Sequence, residues 1–261
     1  MIGFNIKEKQ IRLNPVLEKY LANAQNMLHG TADFATAMTA MYYIKETIRS
    51  GWVNEERAVN VNHPAESVAD HSWACCILAE LFLTKDINDS SLFADIDKEK
   101  YKDSYNKEHI IRLLLVHDLA ELETGDIPTT EMTDEDIKEQ KLCMEKMSVL
   151  GSIPIFQELY SISQNWYEFS KEINEHTDVN VKIAYEIDKL EPLIQLLMYR
   201  KEFPVDRYIK IRDDWISSVR AEFERHEATS FGYNLFDWIL KYIIDDEHYL
   251  YNISGPNEEV Y

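Results

Sequence analysis

Glycine is scarce in this sequence, with seven in 261 residues against a typical usage of roughly 7%. A β-rich fold strings many tight turns together and draws on glycine to make them, so the shortage argues for helices. Proline is also limited to seven, and no Gly/Ser/Pro-rich stretch divides the chain in two. Cysteine is nearly missing. Cys75, Cys76 and Cys143 are an odd count with two of them adjacent, which argues against a disulfide scaffold and suits a reducing compartment. Positive charge is short as well: 27 Lys and Arg face 47 Asp and Glu, for a net charge of −20. Such a surface disfavours nucleic acid and anionic lipid as partners, and a phosphorylated substrate would need a local cation, either a metal or an arginine. Runs of about 18 apolar residues are absent, and the opening MIGFNIKEKQ has no basic region leading into an apolar core. The expectation is a soluble, cytoplasmic protein with no membrane partner.

What is present is enough to build a core: 45% of the residues are hydrophobic, and no internal repeat interrupts them. The patterning predicts a single all-α domain over residues 1–261. A helix is expected over Thr31–Ile48, with Phe34, Met38, Met41 and Ile44 or Tyr43 at helical spacing and Gly51 as a stop. A polar loop, Asn54 to about Glu66, follows. Ser67-Val-Ala-Asp70 has the form of a capping box, and Val68, Cys75, Leu78 and Phe82 trace an apolar stripe that passes through His71. Residues 86–107 are charged and irregular and read as a solvated connection. The segment HIIRLLLVHDLAELETG reads as one apolar helix ended by Gly125.

Further on, Thr133–Met147 is expected as an exposed helix and Ile155–Glu172 as another. Val181–Tyr199 carries the stripe Ile183, Ile187, Leu190, Ile194 and Leu197, with Asp188, Glu191 and Gln195 along one edge. From Val205 to Tyr261 aromatics recur at helical intervals: Trp215, Phe223, Phe231, Phe236, Trp238 and Tyr242. They either pack back on the core or offer an apolar face to a second copy of the chain. The final GPNEEVY reads as a frayed tail.

The His117-Asp118 dipeptide alone means little, since eight histidines would yield one His-Asp by chance about half the time. Its setting gives it weight. His117 follows Leu113 and Leu114 by one turn, and His71 lies on the apolar stripe of its own helix. A buried histidine is commonly a satisfied core residue. Two inward histidines, an aspartate beside one of them and Asp188 on a third helix make a mixed N/O donor set instead. That set suits one divalent ion of the Mn, Fe, Co, Ni or Zn group. The cysteines offer no soft alternative, and Cys75 and Cys76 read as packing. Glu121, four residues after His117, would share its helical face and could act as acid or base; a solvated glutamate is the competing reading.

Glu66-Ser-Val-Ala-Asp-His71-Ser72, then His117-Asp118-Leu-Ala-Glu121, then Thr124-Gly125-Asp126-Ile-Pro128 resemble the HD-domain metal-dependent phosphohydrolases, in particular their 5'-deoxynucleotidase-like branch. The resemblance spans roughly Thr31 to Tyr199. It implies an HD-type helical bundle over about residues 31–200 with an additional C-terminal helical extension over about 205–261. It also implies metal ligation by His71, His117, Asp118 and Asp188, service of the catalytic water by Glu121, and recognition of a deoxyribose by Asp126. Ile48-Arg49-Ser-Gly51-Trp52-Val53 looks like the family's Arg/Gly-Trp segment at the phosphate end. Arg49 would bind phosphoryl oxygens there, and Trp52 would wall the pocket or serve the core. Ser72 could add a hydroxyl donor or merely sit on the helix surface. Arg57 and His63 lie in a stretch between Trp52 and His71 that is longer than the family's usual spacing.

The reading that follows is hydrolysis of a nucleoside 5'-monophosphate, a 2'-deoxy one by the Gly125-Asp126 turn, to nucleoside and phosphate. Relatives of this kind are commonly dimers. Two alternatives stand beside it. One is an HD-type hydrolase of another phosphoester, such as a cyclic nucleotide or a nucleoside triphosphate. The other is a metal-stabilised helical binding module without turnover.

Overall fold

Helix is the repetitive structure of this chain, and among the described residues no strand forms beyond one antiparallel bridge between Ile48 and Ser67. The computed structural model describes residues 42–53, 65–83, 105–127, 132–149 and 178–253. The helices are α1 (Val68–Phe82), α2 (Lys107–Val116), α3 (Glu121–Thr124), α4 (Asp134–Val149), α5 (Val179–Met198), α6 (Val205–His226) and α7 (Ser230–Ile253). Two compact units are formed, residues 1–77 with 108–172 and residues 78–107 with 173–261. The expected helix over Ile155–Glu172, Arg57, His63, Pro128, the tail and nearly all of the acidic connection lie outside the described residues. No helix among the described residues is long and apolar enough to cross a membrane.

In the first unit the expected helix over Thr31–Ile48 is described only at its end, and it stops early. Tyr43–Glu46 form a 3₁₀ turn, and Thr47 is already extended at φ −80°, ψ 106°. The cause lies across the bridge. The Val68 N–H donates to the Thr47 carbonyl at 2.8 Å and the Arg49 N–H donates to the Glu66 carbonyl at 3.1 Å, which draws residues 47–49 out of the helix. A second 3₁₀ turn, Ser50–Trp52, follows. The capping box at Ser67 forms as expected: Ser67 N–H and Oγ donate to Asp70 Oδ2 at 2.9 and 2.8 Å, and Asp70 N–H donates back to Ser67 Oγ at 3.1 Å.

The long helix expected through to Gly125 is not continuous. α2 buries Ile110, Leu113, Leu114 and Val116 and then ends. Residues 117–120 form a turn in which Leu119 N–H reaches the Val116 carbonyl and Glu121 N–H the Asp118 carbonyl, at 3.1 and 3.0 Å. The His117 ring contributes to the break, because its Nδ1 takes the Leu114 carbonyl at 2.7 Å and competes with the helical ladder for that acceptor. α3 then runs for four residues and packs against α4 and the Tyr43–Glu46 turn. α4 is capped by Thr133 and Asp136, and in its first half the described side chains are exposed or half-buried except Gln140, which is buried and donates to Thr124 Oγ1 at 3.1 Å.

The second unit is built around α5, which packs against α6 and α7. Asp178 caps it by accepting from the Asn180 N–H at 2.8 Å, so the helix begins two residues before the expected Val181. Ile183, Ile187 and Leu190 are buried as the stripe predicts, but beyond them Leu193 and Leu196 are buried, and not Ile194 and Leu197. The shift by one position coincides with Pro192, whose ring and missing N–H interrupt the ladder at the carbonyl of Asp188, four residues back. Of the C-terminal aromatics, Phe223, Phe236 and Trp238 pack within the unit: the Phe223 ring lies 5.7 Å from both Tyr233 and Phe236, and Phe82 meets Trp238 at 5.3 Å. Glu227 leaves α6 in the left-handed conformation at φ 49°, and Thr229 Oγ1 accepts the Gly232 N–H at 3.2 Å to open α7.

Candidate metal and phosphate site

His71 projects from the second turn of α1 and is fully buried, at 0% exposure, with Cys75 one turn later against its ring. His117 comes from the first residue after α2. The two rings meet at 5.4 Å between centroids with a 60° tilt. Asp118 supplies the third group. Its Oδ2 lies 3.0 Å from His117 Nε2, 3.8 Å from His71 Nε2 and 3.3 Å from Arg49 Nη1. Ligand atoms of His71, His117 and Asp118 therefore fall within 4.8 Å of one another, close enough to share one ion.

The chemistry of this set fits a metal. The bond from Nδ1–H of His117 to the Leu114 carbonyl fixes the ring so that Nε2 carries the lone pair, the usual arrangement for a ligating imidazole with a backbone carbonyl behind it. That lone pair faces a carboxylate oxygen at 3.0 Å. Two electron-rich atoms so placed need a proton or a cation between them. A cation answers the same need for His71 Nε2, which approaches the same oxygen.

Arg49 is aimed by backbone and side chain together. Its N–H is held by the Glu66 carbonyl, and its Nε lies 3.8 Å from Glu66 Oε1. That carboxylate oxygen also accepts the indole N–H of Trp52 at 3.0 Å. Trp52 itself is buried, at 1% exposure. Ser72 is buried too, at 8%, which removes the reading of a helix-surface serine. Glu121 is buried at 7%. It reaches its position through the turn at residues 117–120, and the expected stacking on His117 along one straight helix does not occur. Asp126 follows Gly125, whose φ of 74° and ψ of 173° are open to glycine. The Asp126 carboxylate accepts from both the N–H and the hydroxyl of Ser50.

Asp188 belongs to the second unit. It lies mid-way along α5, buried, with Lys189 Nζ 2.9 Å from its Oδ2. Glu66 and Ser50, which the sequence does not single out, make contacts to Arg49, Trp52 and Asp126. Glu66 stood in the motif with a capping box directly after it, but its use depends on Arg49 and Trp52 folding back. Ser50 carries no local signal at all, since its partner is 76 residues away.

The HD domain model of a known protein family matches residues 42–228. Among curated proteins the chain is similar to 5'-deoxynucleotidase HDDC2 of Xenopus laevis, with 28% identity over 186 residues that cover 70% of this chain and 76% of that protein. It is similar also to 5'-deoxynucleotidase HDDC2 of Homo sapiens, 26% identical over 173 residues (66% of this chain, 70% of that protein). A third relative is 5'-deoxynucleotidase hdd1 of Schizosaccharomyces pombe, 28% identical over 165 residues (61% and 69%). Two solved structures share the fold. One is a metal-dependent phosphohydrolase, so described by prediction, from Magnetospirillum magnetotacticum MS-1 (TM-score 0.52, 17% identity, 85% of this chain and 96% of that one). The other is the PH0347 protein from Pyrococcus horikoshii OT3 (TM-score 0.50, 21% identity, 80% and 97%).

Proposed function

This chain belongs to the HD domain family, and from that premise we propose that it hydrolyses nucleoside 5'-monophosphates, the 2'-deoxy ones by preference, to nucleoside and inorganic phosphate. The observation that carries the reading is the convergence on Asp118 Oδ2 of two imidazole nitrogens and one guanidinium. A metal-ligating set and a phosphate-binding cation thus share a single carboxylate. The names of the curated relatives, all 5'-deoxynucleotidases, favour the monophosphate over cyclic nucleotides and triphosphates.

In this reading His71, His117 and Asp118 hold one divalent ion of the Mn, Fe, Co, Ni or Zn group, and Asp188 is the fourth ligand, as the family resemblance implies. When bound, the ion supplies charge neutralisation at phosphorus and a lower pKa for the attacking water. Glu121 takes the proton of that water or returns one to the departing 5'-oxygen. Arg49 spreads its guanidinium N–H groups over the phosphoryl oxygens as charge builds on them, and Glu66 keeps it aimed. Trp52 excludes water from the rear of the site. Ser72, next to the first ligand, donates its hydroxyl to the phosphoryl group, and Asp126 accepts a hydroxyl of the sugar.

The test is a phosphate-release screen against ribo- and deoxyribonucleoside monophosphates, triphosphates and cyclic nucleotides, with a panel of divalent ions. Release from deoxynucleoside 5'-monophosphates that stops on chelation is expected. Release confined to triphosphates or cyclic nucleotides would overturn the substrate assignment, and no release with any ion would leave a metal-stabilised binding module.

A further inference from the structure

Ser50 has no function in the reading above, yet it makes the tightest polar contact of the site. It opens the 3₁₀ turn Ser50–Trp52, so its N–H has no partner within that turn. Asp126 Oδ2 takes this N–H and also the hydroxyl, which lies at 2.7 Å. Two donors from one residue thus converge on one carboxylate oxygen. They fix the rotation of the carboxylate about its Cβ–Cγ bond, and Oδ1 takes no part in either contact.

The backbone on each side is committed to the same arrangement. Arg49, the preceding residue, is tied to the Glu66 carbonyl through its N–H. Gly125, before Asp126, holds a φ of 74° that a side chain would strain, and its N–H is bonded to the Glu121 carbonyl at 2.8 Å. The phosphate-binding arginine and the carboxylate after the Gly125 turn are consequently joined through a single residue. In a nucleoside 5'-monophosphate, phosphate and sugar ring are likewise joined through a single methylene.

We propose that Ser50 is a positioning residue that locks the Asp126 carboxylate and thereby sets the preference for deoxyribose over ribose. This rests on the reading of the site as one for nucleoside monophosphates. A freely rotating carboxylate follows a hydroxyl from one ring carbon to the next and discriminates poorly. One held by two donors accepts at a fixed place and leaves the additional 2'-hydroxyl of ribose without a matched partner, a mismatch that supports discrimination of up to about 10²-fold.

The experiment compares kcat/KM for a deoxyribonucleoside and the matching ribonucleoside 5'-monophosphate in the full chain and in Ser50→Ala, Ser50→Thr and Asp126→Ala, each fully metal-loaded, with Tm recorded for all. Losing one hydrogen bond to a carboxylate predicts that Ser50→Ala lowers the deoxy-to-ribo ratio about tenfold. Ser50→Thr, which keeps the hydroxyl, should restore it. A merely structural role would lower both substrates together and leave the ratio alone, and that result overturns the proposal. If Asp126→Ala abolishes the preference while Ser50→Ala keeps it, the positioning role fails and the monophosphatase reading survives. Equal rates on both sugars in the unaltered chain would also refute the proposal without touching phosphate hydrolysis. A chain that releases phosphate from neither substrate removes both.

Discussion

His117 spends its Nδ1–H on the Leu114 carbonyl, and that single bond decides which nitrogen faces Asp118 and in which state. With the lone pair on Nε2, His117 and Asp118 form with His71 a donor set that could hold a metal ion. Glu121 is buried nearby but is no part of that donor set, so ligation and proton transfer separate by substitution. Asp118→Asn is expected to lose both bound ion and phosphate release. Glu121→Ala is expected to keep its ion while kcat falls by about 10²–10⁴-fold, the usual weight of a general acid or base; ion content by elemental analysis and release kinetics on the same preparations check this. Arg49→Ala should raise KM for the monophosphate about ten- to hundredfold with metal content unchanged, since one charged contact to phosphate disappears. The imidazoles were legible because each sits at a position where apolar periodicity calls for a hydrophobe. Ser50 and Glu66 were not, because contacts 76 and 14 residues apart leave no trace in a local pattern.

At the level of elements, the capping box at Ser67 and the apolar stripe of α1 appear where the sequence puts them, because both are local devices that a short window contains. The break after Val116 is different. Leucine and alanine continue at helical spacing through residues 119 and 120, so periodicity alone cannot register a side chain that captures a carbonyl and ends the helix. Pro192 in α5 was passed over for a similar reason, as the apolar residues on either side of it keep nearly the same phase.

The contact between α5 and α7 is also invisible in sequence. A Cβ on Gly232 would lie 2.6 Å from Glu186 Oε2. Glu186 cannot simply move away, since it is buried and takes the N–H and the hydroxyl of Thr229. Burial raises its pKa to about 7. Gly232→Ala should therefore destabilise the fold by about 1–3 kcal/mol, as overpacking does. A midpoint in urea unchanged from the parent would contradict this.

Across the whole chain the acidic excess sets the response to pH. The chain has 47 carboxylates, and among them Glu222 has a specific role. Burial alone would raise its pKa, yet hydrogen bonds from Arg225 and Tyr185 and the charges of Arg225 and His226 bring it below 4.5. A carboxyl held low in the fold binds its proton more readily once unfolded. Its stabilisation is present above pH 4.5 and is lost as the pH falls further. Between about pH 5 and about pH 3 the Tm of the parent should drop more steeply than that of Glu222→Gln; parallel curves would contradict the assignment. The all-helical character was legible from scarce glycine together with apolar residues recurring at helical spacing. The division into two compact units was not, because its boundary at residue 77 falls inside the continuous apolar stripe of α1.

The proposed phosphomonoester hydrolysis requires one divalent ion, for which His71, His117 and Asp118 form the candidate donor set. Titrating a chelator-stripped sample with Mn²⁺ or Co²⁺ while following phosphate release from a deoxynucleoside 5'-monophosphate addresses this most directly. Release is predicted to start from zero and to saturate at about one equivalent of ion per chain; release that is undiminished in the stripped protein, or absent at every ion concentration, would contradict it.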